Sequence, residues 1–182
     1  MKNSGSVYWV TGLAGPGKTT LGKTLFSKIK KAEFPVVMLD GDDMRIVLGV
    51  EPDSLYSREE RLSLAKKYSR LTKLISEQGV NVVVTTISMF EEIYEWNRKN
   101  IEKYIEIFLD VPLEELKKRD VKGVYDGETS SDSQVAGLSL RVDEPKNPSI
   151  HLLWKANESS EETFERLWKK LVLLENNWLF AE

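Results

Sequence analysis

A glycine-rich loop between two regular patterns constrains the fold of this chain most strongly. Residues 10–20 read VTGLAGPGKTT and contain the pattern G-x-x-x-x-G-K-[ST]. The preceding run Val7–Thr11 is β-branched and aromatic, as strands are, and Lys18–Lys31 carries apolar residues at helical spacing. Glycines let backbone N–H groups face anionic oxygens, and the positive end of the following helix attracts the same charge. The pattern predicts a nucleoside triphosphate site, with Lys18 on the β- and γ-phosphates and the Thr19 hydroxyl on Mg²⁺.

Strand and helix patterns alternate along the rest of the chain. Further strands are predicted at Pro35–Leu39, Val80–Thr85, Ile105–Leu109 and Ile150–Trp154. Further helices are predicted at Leu113–Arg119 and Glu161–Leu174. Another helix is predicted after Ser57, where Glu60 completes a capping box and Gly79 marks the end. This alternation predicts an α/β fold, a parallel sheet with helices on both faces. With the loop it indicates the P-loop nucleoside triphosphate hydrolase fold. We expect a single domain over residues 1–182, a length sufficient for one core.

One polar segment interrupts the alternation. Val124–Ser149 is dominated by Gly, Ser, Asp and Pro and follows neither the helical nor the strand period. Connections of this length inside a compact domain are usually functional lids or disordered. We therefore expect a mobile lid over about residues 120–149.

Composition excludes several classes of site and partner. The chain has no cysteine and one histidine, His151, which excludes disulfides, thiolate catalysis and Cys-ligated or multi-His metal sites. The 26 basic and 29 acidic residues nearly balance, which argues against a nucleic acid or an anionic membrane as the main partner. Apolar runs fall short of the about 20 residues that a membrane-spanning helix needs. We expect a cytoplasmic protein.

Three carboxylates follow the second predicted strand, in the segment LDGDDMR at residues 39–45. Parallel sheets bind ligands at this edge, and Gly41 is expected to bend the chain between Asp40 and Asp42. A carboxylate here could order Mg²⁺-bound water and accept a proton from an acceptor hydroxyl. Arg45 could hold an acceptor phosphate through its planar fork. The alternative is an acidic helix N-terminus, where the helix dipole alone favours Asp.

The loop by itself does not separate a kinase from a GTPase or a motor ATPase. The chain has no N-K-x-D motif for guanine and no D-x-x-G motif after a strand. Its third predicted strand ends in Thr85-Thr86-Ile87-Ser88, without the carboxylate that a motor ATPase would carry there. These features favour a kinase whose acidic groups come from the LDGDDMR segment.

In these segments the chain resembles the adenylyl-sulfate kinases, P-loop enzymes that phosphorylate the 3′-hydroxyl of adenosine 5′-phosphosulfate. The resemblance runs from Val7 to about Leu153 and is carried by GLAGPGKTT, LDGDDMR, YSREER, TTISMF, RDVKGVY and DEPKNPSIHL. It implies that Asp42 lies nearest the acceptor hydroxyl, acting with Lys18 in catalysis and with Thr19 at Mg²⁺. The implied ATP-binding residues are Gly12, Ala14, Gly15, Gly17, Lys18, Thr19, Thr20 and Arg119. The implied acceptor-binding residues are Asp40, Asp42, Arg45, Tyr56, Arg61, Ile87, Ser88, Phe90, Lys122 and Leu138. The resemblance also implies a small-molecule nucleotide substrate and a homodimer.

Departures from the family pattern cluster on the acceptor side. Tyr56 replaces one phenylalanine of the base clamp, and Val135-Ala136-Gly137-Leu138 replaces the F-T-G-I that carries the other. Leu64 stands for an asparagine, Lys66-Lys67 for an arginine pair, Met89 for a proline and Glu91 for an arginine. The ATP side is intact. We therefore predict 3′-phosphorylation of adenosine 5′-phosphosulfate or of cytidine diphosphoramidate, the acceptor of a variant of this family in capsule modification. The alternative is a nucleotide-binding regulatory module without catalysis.

Overall fold

A parallel sheet of five strands forms the centre of the structure, with the strand order β2-β3-β1-β4-β5. The computed structural model describes residues 4–50, 57–119 and 142–174. The strands are β1 (Val7–Thr11), β2 (Val36–Asp40), β3 (Asn81–Thr85), β4 (Tyr104–Asp110) and β5 (Ile150–Leu153). The helices are α1 (Lys18–Lys31), α2 (Gly41–Val47), α3 (Arg58–Ser76), α4 (Glu91–Asn100), α5 (Leu113–Arg119) and α6 (Ser160–Leu174). The predicted α/β fold is confirmed, and all predicted strands begin and end within one residue of the observed ones.

The central strand β1 is buried along its whole length because helices cover both faces of the sheet. Successive side chains of a strand point to opposite faces. Tyr8 and Val10 face a cluster that includes Leu25 of α1 and Leu167 of α6. Val7 and Trp9 face a second cluster, built with Ala65 and Tyr68 of α3 and Ile93 of α4. Burial on both sides explains the continuous apolar run that predicted this strand.

Helix α3 starts where the capping pattern places it. The hydroxyl of Ser57 accepts a hydrogen bond from the backbone N–H of Glu60 at 3.1 Å. The Glu60 carboxylate accepts one in return from the backbone N–H of Ser57 at 2.9 Å. This reciprocal pair satisfies donors that the first turn of a helix leaves free. It also sets the position of Arg61 in that first turn.

Helix α4 was not predicted, and helix α2 was predicted only by the alternative interpretation of LDGDDMR. Helix α2 has seven residues, and its first turn contains Asp42 and Asp43. The alternative interpretation of LDGDDMR as an acidic helix N-terminus is thus confirmed as local structure. Helix α4 has ten residues and buries Ile93, Tyr94 and Asn97. Asparagine and tyrosine on its inner face weaken the apolar pattern that would have indicated it. None of the helices in the described ranges is long and apolar enough to cross a membrane.

Candidate active site

The glycine-rich loop joins β1 to α1 in a backbone conformation that its glycines permit. Gly12 has a φ of 152°, and a Cβ atom on it would lie 2.5 Å from the carbonyl oxygen of Leu109. Gly17 is the N-cap of α1 with a φ of 98°, in the left-handed region. Among the described residues, no side chain caps the first turn of α1 and no acidic residue lies in it. The first N–H groups and the positive end of α1 therefore suit an anion.

Lysine and threonine side chains of the loop lie at the same end of α1. The Lys18 ammonium group donates a hydrogen bond to the carbonyl oxygen of Leu13, so its side chain lies along the loop. Thr19 and Thr20 are exposed. A cation and a hydroxyl group are thus placed at one anion-binding turn.

Asp40 joins three elements of the site. One of its carboxylate oxygens, Oδ2, accepts hydrogen bonds from the Thr19 hydroxyl at 2.8 Å and from the Thr85 hydroxyl at 2.6 Å. The other oxygen, Oδ1, accepts from the backbone N–H of Asp42 at 3.0 Å and caps α2. Asp40 and Thr85 are register partners at the ends of the neighbouring strands β2 and β3. The structure therefore brings Asp40, rather than Asp42, against Thr19.

Thr85 is a contact that sequence reasoning missed. The sequence indicates only that the third strand ends without a carboxylate. Its end instead supplies a hydroxyl that orients the carboxylate of the adjacent strand. In the sequence, Asp40 and Thr85 each stand at the carboxyl end of a strand. Only the strand order shows that these two strands are neighbours, so that the two residues can meet.

Asp42 and two arginines form the outer part of the site. The Asp42 carboxylate is 56% exposed and makes an ion pair with Arg45. Burial lowers the pKa of Arg61, and the positive charge of Arg45 lowers it further. Two guanidinium groups within electrostatic reach of each other favour an anion between or beside them. Arg61 thus lies within electrostatic reach of Arg45, which pairs with Asp42.

The structural reason for glycine at position 41 differs from the predicted one. It is the first residue of α2, and its φ lies outside the left-handed region. A Cβ atom on it would lie 3.3 Å from the Thr85 carbonyl oxygen and 3.2 Å from the Thr86 hydroxyl. Close approach to β3, rather than a bend, therefore favours a residue without a side chain here. The Tyr68 hydroxyl donates to the Gly41 carbonyl at 3.2 Å, and burial, the largest influence, raises the pKa of Tyr68 to about 12, so it stays a neutral donor.

The segment after β3 is held against the end of β1. The Thr11 hydroxyl donates a hydrogen bond to the carbonyl oxygen of Ile87. Ser88 has a φ of 26°, which is rare for a residue with a side chain, and its hydroxyl pairs with that of Thr86 at 2.8 Å. Phe90 follows as the N-cap of α4 and is 7% exposed. Ile87, Ser88 and Phe90 thus lie in one short, constrained segment at the sheet edge that carries Asp40.

Four of the predicted site positions cannot be compared with the structure. Tyr56, Lys122 and Leu138 lie outside the described residues, as does the side chain of Arg119. Most of the predicted lid, residues 120–141, lies outside them as well.

Comparison with known proteins adds to this geometry. The sequence model of the adenylylsulphate kinase family matches residues 4–153. This chain belongs to that family. A cytidine diphosphoramidate kinase from Campylobacter jejuni is 38% identical over 174 residues, which cover 95% of this chain and 100% of that protein. An adenylyl-sulfate kinase from a Picosynechococcus species is 34% identical over 175 residues, 96% of this chain and 97% of that protein.

A solved structure supports the fold assignment. The Mycobacterium tuberculosis APS kinase in complex with AMPPNP and APS superposes with a TM-score of 0.79 at 26% identity, covering 92% of this chain and 98% of that one. The relatives named above are kinases. Adenylylsulphate kinase family membership therefore makes this chain a nucleotide kinase, a phosphotransferase, and does not favour the alternative of a module without catalysis.

Acceptor-side departures from the family pattern have structural consequences. Leu64 is 7% exposed and packs in the cluster around Trp9, so this position offers no hydrogen bond to a ligand. Lys66 and Lys67 are exposed on α3. Glu91 pairs with Lys146 at 3.4 Å, so this position carries a negative charge instead of the family's arginine. These positions therefore differ from the family pattern in chemistry as well as in sequence.

Oxygen ligands beside the loop fit a magnesium ion. The Thr19 hydroxyl and the Asp40 carboxylate are neighbours, and both are the hard ligands that Mg²⁺ prefers. In the described ranges, no group of three or more His, Cys, Asp or Glu residues is arranged to hold a metal. Mg²⁺ in kinases is usually bound by one or two carboxylates together with substrate phosphates and water.

Proposed function

We propose that this protein is an ATP-dependent kinase that phosphorylates the ribose 3′-hydroxyl of a nucleotide 5′-phosphoanhydride. The observation that carries the proposal is the link from Asp40 to Thr19 and Thr85. It places a carboxylate of the acceptor-side strand directly at the phosphate-binding turn. A kinase needs this proximity, because the acceptor hydroxyl must meet the γ-phosphate in line.

The phosphate side uses Gly12, Ala14, Gly15 and Gly17 for the backbone cradle, with Lys18, Thr19 and Thr20 at the start of α1 and Arg119 over the adenine. The Lys18 ammonium group breaks its hydrogen bond to the Leu13 carbonyl and neutralises charge on the β- and γ-phosphates. Thr19 and Asp40 hold Mg²⁺, with Asp42 as the further carboxylate that the family resemblance implies. A magnesium ion held by these residues would supply positive charge to offset the negative charge that develops on the phosphates.

On the acceptor side, Asp42 accepts the proton of the 3′-hydroxyl. The oxygen of that hydroxyl attacks the γ-phosphorus of ATP. The bond from that phosphorus to the β,γ-bridging oxygen breaks, and ADP leaves with the electron pair. Arg45 and Arg61 bind the acceptor's 5′-anhydride, since two neighbouring guanidinium groups suit a dianionic group. Ile87, Ser88 and Phe90 line the acceptor site, with Tyr56, Lys122 and Leu138 completing it.

We propose cytidine diphosphoramidate as the first acceptor to test and adenosine 5′-phosphosulfate as the second. Leu64, where the family pattern has an asparagine, is buried in the core cluster around Trp9 and offers no polar group to an acceptor. The identity of 38% to a cytidine diphosphoramidate kinase supports this order. The adenosine compound is supported by the family match and by the adenylyl-sulfate kinase at 34% identity.

Phosphorus NMR of the purified protein with MgATP and each acceptor in turn tests the proposal. We expect a 3′-phosphate on cytidine diphosphoramidate. A 3′-phosphate on the adenosine compound alone would reverse the order of the acceptors and leave the reaction class standing. No product with either compound, while ATP still binds, would overturn the proposed acceptor class.

Three expectations from the sequence stay predictions: a single domain over residues 1–182, a lid over about residues 120–149, and a homodimer. A cytoplasmic location and the absence of a nucleic acid or membrane partner also stay predictions. Limited proteolysis with and without MgATP would test the single domain and the lid. Sedimentation would test the homodimer.

A further inference from the structure

Arg58 bridges three parts of the chain that are distant in sequence. It is the first residue of α3. Its guanidinium group donates to the Asp143 carboxylate at 2.6 Å and to both oxygens of Glu92 at 3.3 and 3.4 Å. The same group lies 5.1 Å from the centre of the Phe90 ring. One planar cation therefore contacts the start of α4, the residue that caps it and the segment that follows residue 141.

The segment around Asp143 is docked on the start of α4 by further bonds. The backbone N–H of Asp143 donates to the Met89 carbonyl at 3.0 Å. Its carboxylate accepts from the backbone N–H of Glu91 at 3.3 Å, at a helix end whose N-cap Phe90 has no capping side chain. An anion there satisfies a free N–H and the helix dipole. Lys146 adds an ion pair with Glu91 at 3.4 Å.

Arg58 offsets the repulsion between the carboxylates that these contacts bring together. Three carboxylates, those of Glu91, Glu92 and Asp143, lie together at one helix end, and like charges repel. The guanidinium fork bonds two of them at once, and its hydrogen bond is the largest influence that lowers the pKa of Glu92. A lysine could not copy this, because an ammonium group is a point charge without the planar fork.

We propose that Arg58 is a positioning residue for the acceptor site: it holds the Phe90 ring and the segment 142–146 in place and thereby sets the affinity for the acceptor. This inference rests on the proposed function for its substrate and on the contacts above for its geometry. Arg58 acts through Phe90, which follows Ser88 in the segment that we assign to the acceptor. Arg58 also lies three residues before Arg61 in the sequence, and we assign Arg61 to binding of the acceptor's 5′-anhydride.

The test compares Arg58→Met with Arg70→Met, a matched control on the exposed face of the same helix. We expect the acceptor KM to rise about fivefold in Arg58→Met, with the ATP KM changed less than about twofold, because the interactions lost are all on the acceptor side. Asp143→Asn should act in the same direction, and Arg58→Lys should fall between Arg58→Met and wild type. Equal acceptor KM values in Arg58→Met and Arg70→Met would overturn the proposal.

Amide hydrogen exchange separates this inference from the proposed function, because it needs no turnover. The Asp143 amide, bonded to Met89, should exchange about tenfold faster in Arg58→Met. The Val82 amide, bonded to Ser6 at 2.8 Å in the core, should not change. If wild type phosphorylates neither acceptor, the proposed function fails, and unchanged Asp143 exchange would then still overturn the positioning by Arg58.

Discussion

The carboxylate of Asp40 accepts a hydrogen bond from the hydroxyl of Thr19 at 2.8 Å, which ties the end of β2 to the first turn of α1. This hydrogen bond makes Asp40 the carboxylate that contacts the loop, whereas the family resemblance implied Asp42 as the carboxylate nearest the metal. The two carboxylates can be separated by mutation.

Replacing Asp40 by Asn should lower kcat by about 100-fold, since removing a group that stabilises charge at a reacting centre has effects of this size. The amide keeps the shape but loses the charge beside Thr19. Steady-state kinetics measure the loss, and Asp43→Asn, an exposed neighbour on α2, is the matched control. A kcat equal to that of the control would remove Asp40 from the catalytic site.

Replacing Asp42 by Asn should reduce phosphoryl transfer by about 100-fold or more while sparing ATP binding, because a general base contributes about 10²–10⁴-fold. Asp42 is exposed and contacts Arg45, so its loss should not disturb the loop. Transfer is measured by product formation and ATP binding by calorimetry. Unchanged turnover would contradict its role as base.

Replacing Thr85 by Val tests the hydroxyl that orients Asp40. The change keeps the shape and removes the hydrogen bond of 2.6 Å, so the free energy of unfolding should fall by about 1 kcal/mol and kcat should fall with it. The control is Thr72→Val on α3, since the buried Thr72 hydroxyl has no hydrogen-bond partner among the described residues. Urea unfolding should show Thr72→Val to be at least as stable as wild type. A Thr85 variant as stable and as active as the Thr72 variant would contradict the orienting role.

The buried Glu106 should make stability depend on pH. Burial is the largest influence and raises the pKa of Glu106, while Arg98 at 2.6 Å opposes it. The folded chain therefore binds this proton more tightly than the unfolded chain. The stabilisation is fully present below the ordinary pKa of 4.5 and is lost as the pH rises through the higher folded-state value.

Urea unfolding of wild type and Glu106→Gln between about pH 4 and pH 8 measures this effect. The stability of wild type relative to the variant should fall as the pH rises. Glu165→Gln, an exposed carboxylate on α6, should run parallel to wild type. A constant difference between wild type and Glu106→Gln would show that burial does not govern this carboxyl group.

Local patterns predicted the strands, four of the helices and the loop. Each of these depends on residues close in sequence, such as the Ser57 and Glu60 pair that begins α3. Helix α4 escaped prediction because tyrosine and asparagine, together with one isoleucine, form its buried face.

Local sequence patterns are enough to locate a phosphate-binding turn between a strand and a helix, and acidic and basic groups at the end of the next strand. Which of these groups contact one another depends on the tertiary fold. Asp40 reaches Thr85 because β2 and β3 pair in register, and Arg58 reaches Asp143 although 85 positions separate them. Such contacts depend on strand order and on how helices pack across the sheet, and no local spacing encodes either of these directly.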